Sequence, residues 1–260
     1  MEGLHAVAIA GSHLEAFQDA LRAAEHDPLY VKKHVTTVRA MFNKGVRMGW
    51  LPQGFRSFAT VETIRLDPKP LLESHLPMDT EVKALLAHAK GDMGDIIAVY
   101  HATGARTHEL IEARVGDYQL NAHTLVFGRH KRSRTLREPI PRTITLNADA
   151  YAILARRCEG RPADAYIFPN RKGKPYTSVL LDDRFATVRK RAGIRSTITI
   201  YSFRHLWISE MLMVGVDVLL VARMAGTSVA MIERVYGHFR NQSYQEAQAR
   251  LDRERATRGL

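Results

Sequence analysis

The sequence predicts a mostly helical fold with a small antiparallel β-sheet, an α+β architecture. Three observations predict it. Apolar residues recur at helical spacing through most of the chain. Strand-like runs are confined to residues 124–128 (TLVFG) and 137–141 (REPIP), which flank a basic stretch and so suggest a hairpin with a cationic turn. Four prolines interrupt the periodicity between Trp50 and Pro77, which is typical of a linker.

The chain of 260 residues, 45% of them hydrophobic, is long enough for one main domain and a smaller one. We predict a small helical domain over residues 1–66, a linker over 67–77, and a main domain over 78–260 that ends in a helix. In the small domain, Ser12 is expected to cap a first helix and Pro28 to begin a second.

Helices are predicted along most of the main domain. One is capped by Asp79 or Thr80, another runs through residues 96–100 and stops at Gly104, and a short one follows Arg106. Further helices are expected at 148–158, 180–192, 201–214, 217–225, 228–238 and about 243–256.

Charge and composition bound the kind of partner. The net charge of +11 favours a polyanion, with nucleic acid ahead of a membrane surface. The basic residues cluster in two runs: Arg129, Lys131, Arg132, Arg134, Arg137 and Arg142 in one, and Arg184, Arg189, Lys190, Arg191 and Arg195 in the other. The single cysteine, Cys158, forms no internal disulfide, and no segment has the pattern of a signal peptide or a membrane span. We therefore expect a cytoplasmic, nucleoid-associated protein.

Two arginines and a tyrosine are the candidates for chemistry on a DNA phosphate. Arg106 and Arg204 carry forked donors that suit phosphate oxygens, and the hydroxyl of Tyr236 could attack the phosphorus. Tyr201, Arg204 and His205 fall on one helical face and could point together into a site.

Each of these residues could instead have a structural role. Arg106 could instead pair with Glu109 or Glu112, and Tyr236 lies on an apolar stripe that suits a half-buried core tyrosine. Tyr244, in a polar setting, is a rival nucleophile.

Lys131 is the candidate general acid. A lysine among neighbouring positive charges gives up its proton more readily, so it could protonate a departing 5′-oxygen. A simple contact to the DNA backbone is the alternative, and Arg129 and Arg132 could share it. The sequence lacks HExxH, metal-spaced Cys or His pairs and a Walker loop, so we predict neither a metal nor another cofactor.

Four segments, in order, resemble the tyrosine recombinase (phage integrase) family: TGARTHEL, the basic hairpin, YSFRHLWISEM and AGTSVAMIERVYGH. The resemblance covers residues 78–240 and, more weakly, 12–50. It implies that Arg106 and Arg204 clamp the scissile phosphate, that Tyr236 forms a 3′-phosphotyrosine, and that Lys131 helps to expel the 5′-hydroxyl.

Two positions depart from the family's usual pattern. Tyr201 stands where the family most often has histidine, and Thr227 stands where it has histidine or tryptophan. Neither side chain shuttles protons near neutral pH, although both can donate a hydrogen bond to phosphate. His205 or Lys131 would then take up the proton transfer.

The resemblance also implies the partners. It implies double-stranded DNA, a homo-tetramer on that DNA, and an accessory DNA-bending or directionality factor. It makes residues 1–66 a partial core-binding domain, with a separate arm-binding domain expected to be missing. The residues expected to contact DNA are Arg129, Arg132, Arg134, Lys32, Lys33, Arg39 and Lys44.

Three alternatives to a mobile-element recombinase are open. A catalytically inactive DNA-binding regulator of the same fold would bind without forming a covalent product. A type IB topoisomerase-like enzyme would nick and reseal without sequence preference. A basic structural protein would hold Arg106, Arg204 and Tyr236 far apart.

Overall fold

The computed structural model describes residues 5–55, 58, 61, 66, 69–127 and 141–259, except for the side chains of residues 241–244. The chain forms two compact units, Met1–Pro68 and Lys69–Leu260. The division lies within the segment predicted to be a linker, residues 67–77. Leu71, from that segment, is buried in a core of the second unit.

The first unit is built on two helices, α1 (Gly11–Ala23) and α2 (Pro28–Arg47). The start of α2 at Pro28 is confirmed, and the Asp27 carboxylate accepts a hydrogen bond from the backbone N–H of Leu29. Ser12 is not the cap of α1, because the helix begins one residue earlier. The core of this unit consists of Leu14, Val31, Val35, Phe42, Leu51, Phe58 and Val61.

In the described part of the second unit, seven α-helices precede the last one. They are α3 (Asp79–His88), α4 (Asp92–Thr103), α5 (Thr107–Ile111), α6 (Ala148–Cys158), α7 (Ser178–Arg191), α8 (Ser202–Met213) and α9 (Val218–Ala225). The helices predicted between residues 148 and 225 agree with α6 to α9 to within two residues at each end. Their strong apolar periodicity explains the agreement.

A three-stranded antiparallel sheet lies between α5 and α6. Its strands are β1 (Tyr118–Gln119), β2 (Thr124–Phe127) and β3 (Arg142–Thr145), in the order β1-β2-β3. The prediction of a mostly helical fold with a small antiparallel sheet is confirmed. Residues 137–140 of the predicted second strand lie outside the described residues, and within these β2 pairs with residues 142–145. Alternation explains the correct register, because Arg142 and Ile144 are buried and the threonines between them are exposed.

A single long helix, α10 (Val229–Thr257), closes the chain. The sequence had suggested two helices separated by a polar break, but residues 238–257 contain neither glycine nor proline to end the first one. Residues 245–257 of α10 are exposed. Across the described part of the chain, no helix has the length and apolar character needed to cross a membrane.

Helix α8 lies between the two cores of the second unit. Phe203 and Leu206 belong to the larger core, which contains α3 to α7 and the sheet. Trp207, Ile208 and Leu212 belong to the smaller core, shared with α9 and α10. The polar residues of α8 are therefore held where the two cores meet.

Candidate active site

Three consecutive carbonyl groups at the C-terminal end of α9 accept hydrogen bonds from three arginines. The pairs are Arg142 with the carbonyl of Met224, Arg204 with that of Ala225, and Arg106 with that of Gly226. The last carbonyls of a helix lack partners within the helix and carry partial negative charge. This helix end therefore gathers three guanidinium groups from three separate segments of the chain.

Arg204 is held rigidly by backbone on two sides. It is 3% exposed, and its Nη1 and Nη2 donate to the carbonyls of Gly104 (2.6 Å) and Ala225 (2.7 Å). Gly104 ends α4 in the left-handed conformation, and a Cβ there would lie 2.5 Å from Cε3 of Trp207. The absence of a side chain at Gly104 thus allows α4 and α8 to approach closely enough for the Arg204 contact.

Arg106 lies at the N-cap of α5 and pairs with Glu109. Its Nη1 donates to Glu109 Oε1 at 2.9 Å, and its backbone N–H donates to Oε2 at 3.0 Å. The pairing with Glu109, one of the alternatives for Arg106, is therefore present. It coexists with the contact to Gly226, and the Arg106 side chain remains 16% exposed. Arg106 is the more accessible of the two candidate phosphate-binding arginines.

Sequence reasoning missed Glu109 as a site residue and misplaced Arg142. Arg142 was counted among the cations of the hairpin turn, but its side chain is 3% exposed and forms a buried ion pair with Glu109. Burial pushes the pKa of Glu109 upward, yet the charges of Arg142 and Arg106 outweigh it and hold that pKa below its ordinary value. Burial lowers the pKa of Arg142 to about 10, so it stays charged at neutral pH.

The hydroxyl of Tyr236 lies 2.6 Å from Nδ1 of His205. Tyr236 is 5% exposed, and burial raises the pKa of its phenol despite the nearby charge of Arg204. Burial and the charge of Arg204 also lower the pKa of His205 to about 4. At neutral pH a protonated phenol therefore faces a neutral imidazole, and the tyrosine is the donor when the imidazole carries its proton on Nε2.

Of the two residues that depart from the usual family pattern, Tyr201 contacts this pair and Thr227 follows Gly226 at the end of α9. Tyr201 is 40% exposed, and its ring meets that of His205 edge-on with the centroids 5.0 Å apart. Thr227 lies between the left-handed Gly226 and Ser228, which caps α10, and its backbone N–H donates to the carbonyl of Ala222. Tyr201 therefore adjoins His205, and Thr227 directly follows Gly226, whose carbonyl binds Arg106.

The remaining predicted residues fall into two groups. Lys131, Arg129, Arg132 and Arg134 lie outside the described residues, between Phe127 and Arg142, which pair at the base of the hairpin. Lys32, Lys33, Arg39 and Lys44 lie on α2 in the first unit, where Lys33 and Lys44 are exposed. Arg39 donates to the carbonyl of Val61.

The second basic run divides into structural and exposed parts. Arg189 donates to backbone carbonyls, and Arg195 binds Glu81 through two nitrogens at 3.0 Å. Other basic residues line a cavity of about 630 Å³ that has no acidic residue in its wall: Lys90, Arg171, Arg184 and Arg191. A concave wall of one charge sign concentrates the electrostatic field and favours an anion.

The described residues contain no group of three or more His, Cys, Asp or Glu side chains able to hold a metal ion. They do bring together Arg106 and Arg204, the two candidate arginines, and a tyrosine that is hydrogen-bonded to a neutral histidine. With the fold, these features define the class of protein: an enzyme that transfers DNA strands at a tyrosine.

The match to known proteins gives the family. Residues 78–243, more than half of the chain, match the phage integrase family, and the chain belongs to this family of tyrosine-type site-specific recombinases. The predicted family is confirmed.

Relatives by sequence include tyrosine recombinases of several bacteria. XerD of Mycobacterium leprae is 25% identical over 255 residues, which cover 90% of this chain and 79% of that protein. XerD of Staphylococcus haemolyticus is 28% identical over 145 residues, covering 55% of this chain and 48% of the relative. The chain thus spans about half of the latter protein and about four fifths of the former.

Solved structures with the same fold include two integrases on DNA. The Tn1549 transposon integrase in complex with a circular intermediate DNA has a TM-score of 0.61 at 16% identity, over 95% of this chain and 86% of that one. A lambda integrase dimer bound to a core site has a TM-score of 0.60 at 15% identity, over 94% of this chain and 84% of that one. These likenesses extend over both compact units.

Proposed function

We propose that this recombinase cuts and rejoins double-stranded DNA through a 3′-phosphotyrosine at Tyr236, in the integration or excision of a mobile element. The observation that carries the proposal is the hydrogen bond between the Tyr236 hydroxyl and the neutral His205, next to Arg204. A hydroxyl becomes an effective nucleophile when an adjacent base orients it and can accept its proton.

Arg106 and Arg204 bind the scissile phosphate in this proposal. Their guanidinium groups are brought to adjacent carbonyls, Gly226 and Ala225, so their positions are set before DNA arrives. Preorganised donors stabilise the charge that develops on the phosphate without reorganising during the reaction. Tyr201 and Thr227 would add hydrogen bonds to the phosphate oxygens.

In the proposed cleavage step, one proton leaves the attacking oxygen of Tyr236 and another is added to the departing 5′-oxygen. Oη of Tyr236 bonds to phosphorus, its proton passes to Nδ1 of His205, and the P–O bond to the 5′-oxygen breaks. Lys131 donates a proton to that oxygen, which leaves as a hydroxyl. The reverse sequence, with a different 5′-hydroxyl as the attacking group, reseals the strand.

Binding of DNA would prepare His205 for its role. The positive charge of Arg204 is the second cause of the low pKa of His205, after burial. A phosphate anion bound to Arg204 offsets that charge and makes the imidazole a stronger base. The proton acceptor is thus activated only when the substrate is in place.

Both compact units would bind the same DNA. The exposed Lys33 and Lys44 of α2, the basic cavity of the second unit and the hairpin arginines would contact backbone phosphates. We further propose a homo-tetramer on two duplexes, aided by an accessory DNA-bending or directionality factor, because exchange of strands between two duplexes requires four cleavages.

Covalent trapping tests the proposed function. The protein is incubated with nicked duplexes that contain the junctions flanking its own gene, then denatured and searched for a protein–DNA adduct. Tyr236→Phe should abolish the adduct, a loss of at least about 10³-fold, because no other nucleophile replaces the hydroxyl. Tyr244→Phe, which removes the rival tyrosine, should leave it intact.

The opposite outcomes have distinct meanings. An adduct that survives Tyr236→Phe but not Tyr244→Phe would contradict the assignment of the nucleophile. Salt-sensitive binding without an adduct from any variant would favour the inactive DNA-binding regulator instead.

A further inference from the structure

We propose that Arg142 is a positioning residue that sets the place of Arg106 through Glu109 and the end of α9, without touching DNA. The inference rests on the proposed function of Arg106 as a phosphate-binding residue. It assigns a role in cleavage to a buried arginine on a β-strand, far in sequence from the residues that it holds.

The side chain of Arg142 is fully engaged within the protein. Its Nη1 binds Glu109, while Nε and Nη2 both donate to the carbonyl of Met224. Since all three of its nitrogens are bonded to Glu109 or to the carbonyl of Met224, none is left to donate to a phosphate. Arg204, which is equally buried, bonds to the backbone through Nη1 and Nη2. Any effect of Arg142 on catalysis must therefore act through its partners.

Glu109 connects Arg142 directly to Arg106. Oε2 of Glu109 accepts from both Arg142 and the backbone N–H of Arg106, and Oε1 accepts from Nη1 of Arg106. Because Arg142 occupies one side of the carboxylate, Arg106 can use only one side-chain nitrogen there. Its Nη2 is then directed to the carbonyl of Gly226.

The end of α9 leaves little room for another arrangement. A Cβ at Gly226 would lie 2.8 Å from Cδ of Arg142 and 2.9 Å from Nη1 of Arg106. The two arginines are therefore packed against the same glycine as well as bonded to the same carboxylate. A shift of one guanidinium changes the space available to the other.

Arg142 also closes the base of the hairpin that carries Lys131. In the register of the sheet it pairs with Phe127, and residues 128–141 connect the two. Arg142 therefore pairs with the strand that precedes the Lys131 segment and also contacts the carboxylate that binds Arg106. Lys131 and Arg106 act on the same phosphate in the proposed reaction.

Arg142→Lys tests the inference with the charge kept. A lysine can neutralise Glu109 but lacks the fork needed to reach both Glu109 and the carbonyl of Met224. We expect DNA affinity to change by no more than about twofold and the rate of adduct formation at saturating DNA to fall by roughly 10- to 100-fold, because a small misplacement of a catalytic group has effects of that size.

Arg195→Lys is the matched control. Like Arg142, Arg195 binds a largely buried carboxylate, Glu81, and a backbone carbonyl, that of Leu76. None of these hydrogen bonds involves Arg106, Arg142 or Arg204. Arg195→Lys should therefore leave the rate of adduct formation unchanged. Equal rates for wild type and Arg142→Lys, with wild type forming the adduct, would overturn the inference and leave the proposed function standing.

A double-mutant cycle separates positioning from general loss of structure. If Arg142 acts through Arg106, adding Arg142→Lys to Arg106→Ala should lower the residual rate by less than about twofold, since coupled residues are not additive. A full additional loss would contradict the inference. Should Arg142→Lys fail to fold, Arg142→Gln keeps a side-chain donor for the carbonyl of Met224 and should retain DNA binding with a reduced rate. A wild-type rate in Arg142→Gln would overturn the inference.

The same series distinguishes this inference from the proposed function. Failure of the wild-type protein to form any adduct would refute the proposed function, and the role of Arg142 would fall with it. Loss of DNA affinity in Arg142→Lys in proportion to its rate would contradict positioning, because it would indicate a contribution to binding instead.

Discussion

His205 lies between two tyrosines that have different proposed roles. Its ring meets Tyr201 edge-on, and its Nδ1 is hydrogen-bonded to the hydroxyl of Tyr236. Burial and the neighbouring Arg204 keep it uncharged. Of Tyr201, His205 and Thr227, only His205 carries an imidazole, and we propose that it receives the proton of Tyr236.

Substitution of His205 should separate binding from chemistry. In His205→Asn the amide can still accept a hydrogen bond but cannot take up a proton. We expect DNA affinity to be retained and the rate of adduct formation to fall by about 10²- to 10⁴-fold, the usual contribution of a general base. His238→Asn, two residues beyond Tyr236, is the control and should keep the wild-type rate. An unchanged rate in His205→Asn would exclude His205 as the proton acceptor.

The low pKa of His205 also predicts a dependence of stability on pH. The unfolded chain takes up a proton near the ordinary pKa of 6.5, whereas the folded protein does so only near 4. The unfolded state therefore binds more protons between these values, and the free energy of unfolding should fall by up to about 3 kcal/mol as the pH drops through this window. Urea unfolding at pH 7 and pH 5 measures it, and His205→Asn should reduce the difference. An equal difference in both proteins would contradict the assignment.

At the scale of elements, the ends of α4 and α9 build the site. Each helix ends in a left-handed glycine, Gly104 and Gly226, and each exposes carbonyls that hold arginines. Short, tightly packed turns thus place side chains that are distant in the sequence. The turns contribute backbone acceptors and close approach rather than reactive groups.

Gly104→Ala tests the close approach of α4 and α8. The left-handed backbone alone costs an alanine about 1 to 2 kcal/mol, and the clash with Trp207 should raise the loss of unfolding free energy to about 3 kcal/mol or more. Gly193→Ala is matched, because its φ of +69° is similar and no atom lies within 4 Å of its Cβ position. Thermal and urea unfolding compare the two. Equal losses would indicate that Trp207 moves away without penalty.

The sequence predicts the helices and the motif residues, but it does not predict the long-range contacts within the site. Helices α6 to α9 follow from local periodicity, and Arg106, Arg204 and Tyr236 follow from motifs. The role of Arg142 does not, since its partner carbonyl lies 82 residues further along the chain and no local pattern marks the pair. The same limit applies to Glu109, which is a capping residue by its position and a bridge between arginines only in three dimensions.

At the scale of the whole molecule, positive charge is divided between the two units. The net charge of +11 includes exposed lysines on α2 and the basic cavity of the second unit. Since neutralised phosphates release counterions, DNA affinity should fall steeply with salt. The proposed binding surface therefore extends well beyond the catalytic residues.

Lys33→Gln measures the contribution of the first unit. If Lys33 contacts a phosphate, the slope of log K against log salt should become less steep by about 0.9, with little change in the rate of adduct formation at saturating DNA. Lys33→Arg keeps the charge and should keep the slope. An unchanged slope in Lys33→Gln would place this part of α2 away from the DNA backbone.

The most direct test of the account is to locate the covalent bond itself. The trapped protein–DNA adduct is digested with protease and nuclease, and mass spectrometry identifies the amino acid that carries the remaining nucleotide. We expect a 3′-nucleotide phosphate on Tyr236 and on no other residue. A nucleotide on Tyr244 or on another side chain would contradict it.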